Sequence, residues 1–304
     1  MPQNKSMSSY NLKYIVLISL FAFCCLHLGA ATKRALLVGI SEYPTNKIEK
    51  NATWSPIHGT NDVKLIGRTL GDQGFKVTSL TNANATASKI RKALLKLQSE
   101  ADSGDIIYIH FSCHGQPVED LDGDEEDGWD ESIVPYDAWK TPITGVYDGS
   151  NHILDDELNT SIKRIREKIG VDGFVYVIID ACHSGGSDRG EEEEDDEIFL
   201  RGTKAGFSLM NKTYIPRIDA RSNIPMKAVS GCANLCMLEA CRSYQSNYEI
   251  KQDGLFYGPL SYYINQTLQN HLLTSDVNWI ETVKKKMARN PKLVKQNMVI
   301  QTTK

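Results

Sequence analysis

The chain alternates short apolar runs with segments whose apolar residues recur at helical spacing. Three runs have the apolar or alternating pattern of strands, at residues 35–40, 75–80 and 105–112. Two segments between them carry apolar residues three and four positions apart, at 63–70 and 90–97. A β-α-β-α-β order predicts a parallel sheet with helices on both faces.

The second half of the chain extends this pattern. Residues 158–165 predict a further helix, and Phe174 to Asp180 form a continuous apolar run typical of a strand that is buried on both faces. Beyond an irregular stretch, the pattern predicts strands at 225–230 and 297–301 and helices at 260–268 and 280–287. Asn61 and Asp62 are N-cap-type residues for the first helix.

Composition favours one folded domain. The chain has 304 residues, of which 41% are hydrophobic and 24% charged, and a formal net charge of -4. Without a basic field, nucleic acid is excluded as an expected partner. We expect a single α/β domain over residues 32–304, with a large part at 32–200, a small part at 222–304 and a solvated, mobile loop at 184–223 that contains the acidic run 191–197.

The N-terminal segment resembles a secretory signal peptide. Lys5 and Lys13 precede an apolar run from Tyr14 to Leu28, and the small residues 29–31 follow it. We expect residues 1–31 to be removed and the mature protein to be periplasmic or extracellular, as a monomer without a membrane span. An uncleaved membrane anchor is the alternative, although the run is shorter than the roughly 20 residues of a spanning helix.

Two reactive side chains follow neighbouring strands. Cys182 comes directly after the strand that ends at Asp180, and His114 directly after the strand that ends at Ser112. The carboxyl ends of parallel strands meet at one edge, where the crevice of an open α/β sheet lies. A cysteine nucleophile needs a base, and His114 is favoured over His183, because adjacent residues of an extended segment point to opposite sides.

Glycines beside these residues permit close backbone approach to a ligand. Gly115 follows His114, and Gly185 and Gly186 follow the cysteine. Free backbone N–H groups beside a nucleophile are the components of an oxyanion hole. A purely structural histidine and cysteine are the alternative for either residue taken alone.

Successive motifs over about residues 35 to 270 resemble the metacaspases, a family of caspase-like cysteine peptidases. They are Phe111–Gly115, Asp122–Glu131, Ile133–Asp137, Leu154–Leu158 and Asp180–Gly185. The resemblance implies a three-layer caspase-like fold with a mostly parallel central sheet of about six strands. It implies that His114 is the general base, that Cys182 is the nucleophile that forms a thioester, and that the N–H groups of Cys182 and Gly115 form the oxyanion hole.

The residue two positions before the cysteine indicates specificity. Animal caspases carry glutamine there and cut after aspartate, whereas this chain has Asp180. A carboxylate on the pocket wall repels an acidic side chain and pairs with a basic one, which favours Arg or Lys before the cut. Asp62 and Ser112 match family positions that line the same pocket; for Asp62 a role as helix cap is the alternative.

The resemblance also implies calcium. Its ligands would be Asp130, Asp155, Asp156 and Asp188, which offer the hard oxygen donors that calcium prefers. A solvated acidic loop is the alternative. The three cysteines Cys232, Cys236 and Cys241 favour buried thiols or one disulfide over a zinc site, since they lack a CxxC pair.

These observations predict an exported cysteine endopeptidase that cuts after Arg or Lys and is assisted by calcium. The alternatives are a catalytically silent homologue that binds a partner, and a thiol hydrolase of small amides or esters. Four basic residues of the irregular stretch are candidate sites of self-cleavage: Arg201, Lys204, Arg217 and Arg221.

Overall fold

The computed structural model describes residues 31–183 and 198–303. The signal-peptide prediction for residues 1–31, apart from Ala31, and the calcium-ligand prediction for Asp188 therefore lie outside the described residues. Within the described ranges, no helix has both the length and the apolar character needed to cross a membrane.

The described residues form twelve strands and five α-helices. The strands are β1 (Lys33–Gly39), β2 (Lys76–Thr81), β3 (Ile106–Ser112), β4 (Gly115–Glu119), β5 (Trp129–Ile133), β6 (Ile153–Leu154), β7 (Phe174–Asp180), β8 (Asn223–Pro225), β9 (Asn234–Glu239), β10 (Ile250–Gln252), β11 (Leu255–Tyr257) and β12 (Val299–Thr302). The helices are α1 (Gly59–Asp72), α2 (Ala87–Glu100), α3 (Asp155–Ile169), α4 (Pro259–Leu268) and α5 (Trp279–Ala288).

A seven-stranded sheet is the centre of the fold. Its order is β2-β1-β3-β7-β9-β12-β8. The five strands β2, β1, β3, β7 and β9 run parallel to one another, whereas β12 runs antiparallel to β9. A separate antiparallel sheet contains β4, β5 and β6, and β10 pairs with β11. The predicted fold class, a mostly parallel sheet with helices on both faces, is confirmed, with seven strands where about six were expected.

Side-chain alternation along the strands divides the core between the two faces of the sheet. Leu37 of β1 packs in one cluster with Ile66 of α1 and Leu260 of α4. Its neighbour Leu36 belongs to the opposite cluster, with Leu94 of α2 and other residues of α2 and α3. Because successive side chains of a strand point to opposite faces, these continuous apolar runs require a layer of helices on each side.

The predicted strand at 225–230 is wrong. Residues 223–225 form only the short edge strand β8, and the strand that pairs with β7 is β9 at Asn234–Glu239. A strand beside β7 must be buried on both faces, and β9 meets this requirement with Leu235, Cys236 and Leu238, which are at most 2% exposed. Cys236 is thus a core residue of a strand.

The predicted cap of the first helix is also wrong. Helix α1 begins at Gly59 with His58 in the cap position, and Asp62 lies one turn further in. The carboxylate of Asp62 is fully buried and accepts hydrogen bonds from Ser112 and from the backbone N–H of Gly258. Its partners therefore belong to the sheet edge and to the segment before α4.

The predicted solvated loop differs from the structure over residues 199–208. Arg201 and Phe207 are fully or almost fully buried. The Phe207 N–H donates to the carbonyl of Pro117 at 2.7 Å, and its carbonyl accepts from Glu119 at 2.9 Å. The apolar residues of this segment have no helical or strand spacing, because each of them packs against a different part of the chain.

We predict that two adjacent leucines of α2 differ sharply in their contribution to stability. Leu94 is 3% exposed in the core, whereas Leu95 is 56% exposed. The substitution Leu94→Ala leaves a cavity and should lower the free energy of unfolding by about 2–5 kcal/mol. The matched control Leu95→Ala should change it by less than about 0.5 kcal/mol. Urea unfolding of both variants measures this, and equal losses would contradict the assigned face of α2.

Candidate active site

The register of β3 and β7 brings the two predicted reactive residues to one edge. Ser112 lies opposite Asp180 in the parallel ladder. His114 comes two residues after Ser112, and Cys182 comes two residues after Asp180. The loops after the strands are in close contact, since a Cβ atom on Gly115 would lie 2.8 Å from the Cys182 carbonyl oxygen. Only glycine at position 115 permits this approach.

The surroundings of His114 keep its ring neutral and leave one ring nitrogen able to accept a proton. Its Nε2 lies 2.8 Å from the Ser55 carbonyl oxygen, which can only accept, so Nε2 carries the proton. Its Nδ1 is buried and has no hydrogen-bond partner among the described residues. Burial lowers the pKa of His114 to about 4, and the ring stacks on Trp54 at 4.7 Å between centroids. At neutral pH the free lone pair of Nδ1 can therefore accept a proton.

Cys182 is 1% exposed, and its thiol donates to the Gln245 carbonyl oxygen at 2.8 Å. The sulfur of Cys241 lies 3.5 Å from the same Gln245 carbonyl oxygen, so the two thiols share one acceptor. Of the other described cysteines, Cys113, Cys236 and Cys241 are buried thiols and Cys232 is a half-buried thiol.

His183 is committed to a different partner. Its Nδ1 lies 3.3 Å from a carboxylate oxygen of Glu131. Burial alone would lower the pKa of His183, but the Glu131 carboxylate outweighs this effect and raises it to about 9. A ring that is protonated at neutral pH cannot act as the base, which agrees with the preference for His114.

A peptide carbonyl from the chain itself occupies the position between the two reactive loops. The carbonyl oxygen of Arg201 accepts from the N–H of Cys182 at 3.0 Å and from the N–H of Gly115 at 3.2 Å. These are the two donors that the sequence assigned to the oxyanion hole. Gly202 follows directly, and a Cβ atom there would lie 3.1 Å from the Cβ of Cys182. The Arg201–Gly202 peptide thus lies against the cysteine.

The side chain of Arg201 fills the predicted pocket and is fully buried. Its NH2 donates to Asp62 at 2.7 Å and to Glu249 at 2.8 Å. Its NH1 donates to the Ser112 hydroxyl at 2.7 Å and to the Asp180 carbonyl at 3.1 Å. The three residues assigned to this pocket from sequence therefore meet one guanidinium, together with Glu249, which sequence reasoning missed.

The Asp180 carboxylate acts at longer range than expected. Its Oδ1 is 3.8 Å from the Arg201 NH1 and accepts from Asn247 at 2.8 Å. Its Oδ2 accepts from the N–H and from the hydroxyl of Ser261, both at 2.7 Å. Asp180 thus contributes charge and a backbone carbonyl to the pocket, while Asp62 and Glu249 make the direct carboxylate contacts.

Two opposing effects act on the pocket carboxylates. Burial raises the pKa of Asp62 to about 7, and the Arg201 guanidinium opposes that rise. Burial would also raise the pKa of Glu249, but Arg201 and the hydrogen bonds from His58 outweigh it and hold the pKa below its usual value. Buried carboxylates of this kind favour a cation in the pocket.

A second group of acids lies where β5 meets the start of α3. Ligand oxygens of Asp124, Asp130 and Asp156 lie within 4.8 Å of one another. The Oδ1 of Asp155 is buried and has no hydrogen-bond partner among the described residues. Burial and neighbouring carboxylates raise the pKa of Asp130 to about 7 and that of Asp155 to about 6. These donors fit a divalent cation, and Asp124 joins the set predicted from sequence.

Several residues that build the site carry no sequence signal. Glu249, the Gln245 carbonyl and the Ser55 carbonyl act through contacts between segments far apart in the chain. Arg201 was one of four basic candidates, and no local pattern distinguishes it from the other three.

Known protein families are similar to this chain in sequence. A model of the caspase domain matches residues 32–300. The chain is 30% identical to metacaspase-4 of Arabidopsis thaliana over 58% of this chain and 42% of that protein. It is 26% identical to metacaspase-1 of Schizosaccharomyces pombe over 76% of this chain and 58% of that protein. The chain therefore matches about half of the length of these relatives.

The fold also matches a solved structure. A crystal structure of a Geobacter sulfurreducens protein superimposes with a TM-score of 0.58 at 21% identity, over 89% of this chain and 93% of that one. At this identity the likeness concerns the fold alone. The caspase-domain match covers nearly all of the described residues and agrees with the observed sheet, so the chain belongs to the caspase-domain family of cysteine peptidases, in which it resembles the metacaspases.

Proposed function

We propose that this protein is a cysteine endopeptidase that cuts after arginine or lysine and that the bond Arg201–Gly202 of its own chain is a substrate. The observation that carries the proposal is the placement of Arg201. Its side chain meets the pocket acids, and its carbonyl accepts from the Cys182 and Gly115 N–H groups. A substrate arginine that binds in the same way would present its carbonyl carbon to the cysteine.

The proposed reaction uses four groups. The thiol of Cys182 leaves the Gln245 carbonyl and gives its proton to Nδ1 of His114, while the sulfur attacks the arginine carbonyl carbon. The N–H groups of Cys182 and Gly115 stabilise the oxyanion that forms. The carbon–nitrogen bond then breaks, and His114 returns the proton to the leaving amine. Water hydrolyses the remaining thioester and restores the thiol.

The two rival functions have weaker support. A silent binding module has no need of a histidine whose Nδ1 is kept unprotonated and unpaired beside the cysteine loop. A hydrolase of small amides or esters has no need of a deep pocket that takes the whole side chain of an arginine. Proteins and peptides with a basic residue before the cut are therefore the proposed substrates.

Calcium belongs to the same proposal. Asp124, Asp130, Asp155 and Asp156 would hold the ion, which would neutralise the mutual repulsion of these carboxylates. Glu131 follows Asp130 directly on β5 and contacts His183, which is adjacent to the nucleophile. A calcium ion bound by these aspartates would thereby help to hold Glu131, His183 and the adjacent Cys182 in position. Export with removal of residues 1–31 is also proposed, on the basis of Lys5, Lys13 and the apolar run after them.

We predict that purified enzyme cuts peptide reporters that end in Arg or Lys and leaves reporters that end in Asp intact. Cys182→Ala should abolish cleavage, and His114→Ala should lower kcat by about 10²–10⁴-fold, the usual contribution of general acid–base catalysis. Failure to cut any peptide while small esters are hydrolysed would favour the thiol hydrolase. Preference for Asp would contradict the pocket assignment.

We predict that the intact protein, incubated with calcium, yields a fragment whose N-terminus is Gly202. Mass spectrometry should find this fragment in the wild type and not in Cys182→Ala. The substitution Arg201→Gln should remove this cut, because it deletes the charge that the pocket holds. The matched control Arg217→Gln, an exposed arginine that pairs with Glu126, should leave the cut unchanged. Identical fragments from wild type and Cys182→Ala would disprove self-cleavage.

We predict that Asp130→Asn and Asp156→Asn weaken calcium binding by about tenfold or more, since affinity depends on the number of charged ligands. Titration calorimetry on the Cys182→Ala background measures binding without self-cleavage. Asp172→Asn, which removes an exposed acid outside the cluster, is the control and should bind like its parent. Equal affinities for all three variants would exclude this cluster as the calcium site.

A further inference from the structure

The stretch that follows Arg201 is bound along the edge of β4. This strand is the outer strand of its three-stranded sheet and pairs with β5 on its inner side. On the outer side, the Phe207 N–H donates to the Pro117 carbonyl at 2.7 Å, and the Phe207 carbonyl accepts from the Glu119 N–H at 2.9 Å. Phe207 thus lies opposite Val118 in a parallel bridge. An extended peptide adds to an exposed sheet edge through backbone hydrogen bonds of this kind.

The side chain of Gln116 in β4 makes a second contact with this stretch. Gln116 is fully buried, and its Nε2 donates to the Ala205 carbonyl and to the Lys140 carbonyl, both at 2.9 Å. Its Oε1 lies 3.0 Å from Nε2 of His152, whose Nδ1 lies 2.9 Å from the Tyr147 hydroxyl. A chain of buried hydrogen bonds therefore fixes the donor that meets Ala205. A group that is held in place in this way loses little freedom when a peptide binds to it.

A pocket beside β4 receives the ring of Phe207, which is 2% exposed. The ring makes an edge contact with Tyr147 at 5.6 Å between centroids and a tilted contact with His152 at 4.9 Å. Gly149 lies against the ring, since a Cβ atom there would lie 2.7 Å from it. Three further members of the same apolar cluster are Trp54, Val134 and Ile143. Because edge-to-face contacts add to the burial of an aromatic ring, this pocket suits a large aromatic side chain.

The middle of the stretch contributes little through its own side chains. Residues 204 and 205 are exposed. Gly206 lies on the ring of Trp129, and a Cβ atom at this position would overlap that ring. The surface of β4 therefore holds the stretch through its backbone and through the side chain of Phe207, the sixth residue after Arg201.

We propose that the outer edge of β4 and the pocket beside it form a subsite for the part of a substrate that follows the cut, and that this subsite takes an aromatic side chain at the sixth residue after the scissile bond. The inference rests on the proposed function, because residues 202–207 follow the bond Arg201–Gly202. The occupant is an extended peptide with an aromatic residue at that distance, and residues 202–207 of the chain itself are the example in the structure. A peptide whose arginine binds as Arg201 does would continue along the same path.

The test compares kcat/KM of the wild type, incubated with calcium, for peptide reporters that carry arginine before the cut and Gly-Thr-Lys-Ala-Gly after it. The reporters differ in the sixth residue after the cut, which is Phe or Ser. Phe should raise kcat/KM by about tenfold or more, because the pocket buries its ring. The matched control reporter carries Ser at the sixth residue and Phe at the seventh. It should be cut like the Ser reporter, since successive side chains of an extended peptide point to opposite sides.

Equal kcat/KM values for the Phe and Ser reporters would overturn the subsite and leave the peptidase assignment intact. The same gain from Phe at the seventh residue would also overturn it, because that result shows a general preference for apolar peptides. Wild type that cuts none of the arginine reporters would overturn both proposals.

A variant tests the same subsite on the bond of the chain itself. Phe207→Ala empties the pocket, so the fragment that begins at Gly202 should appear about tenfold or more slowly than in the wild type, as followed by mass spectrometry over time. The matched control Leu209→Ala removes a side chain that is 51% exposed and should be cut at the wild-type rate. Cleavage of folded Phe207→Ala at the wild-type rate would contradict the inference. The reporters use the wild-type chain, so they decide the inference if Phe207→Ala does not fold.

Discussion

The Arg201 guanidinium lies fully buried against the carboxylates of Asp62 and Glu249, and the surrounding elements are arranged to meet that charge. An isolated ion in a protein interior costs on the order of tens of kcal/mol in idealised terms, so such a group requires paired charges and hydrogen bonds. Each pocket carboxylate also has a backbone donor. Gly258 donates to Asp62, His58 to Glu249, and Ser261, in the first turn of α4, to Asp180. The pocket is thus built for a cation.

The same geometry makes Arg201 a competitor of a substrate arginine for one set of binding groups. Arg201 uses the pocket acids through its side chain and the N–H groups of Cys182 and Gly115 through its carbonyl. A substrate arginine would need the same groups, so the two cannot be bound together. The described structure is therefore that of a site engaged by its own chain, and under the proposed function cleavage between Arg201 and Gly202 would free it.

The parallel sheet makes this convergence possible. Ser112 and Asp180 are adjacent in the β3–β7 register, and their following residues supply His114 and Cys182. The α1 segment contributes Asp62, and the segment before β10 contributes Glu249. Residues separated by almost 190 positions thus contact one side chain. A sheet with fixed register sets these distances, since a shift by one residue would move every side chain to the other face.

The sequence by itself determined the framework of the fold. The runs at β1, β3 and β7 are apolar on both faces, and that pattern is compatible only with strands covered by helices on each side. It also determined that His114 and Cys182 follow neighbouring strand ends, because a strand's end is visible in the pattern. The strand β9 was missed because its short apolar run lies among cysteines and polar residues that suggested other roles.

Only the tertiary structure decided what occupies the pocket and which acids meet it. Arg201 and Glu249 lie in segments without periodicity, and their interaction joins positions 48 residues apart. The free Nδ1 of His114 depends on the Ser55 carbonyl, and the longer-range role of the Asp180 carboxylate depends on Ser261 and Asn247. Such contacts follow from the packing of loops on a finished sheet, and local spacing does not encode them.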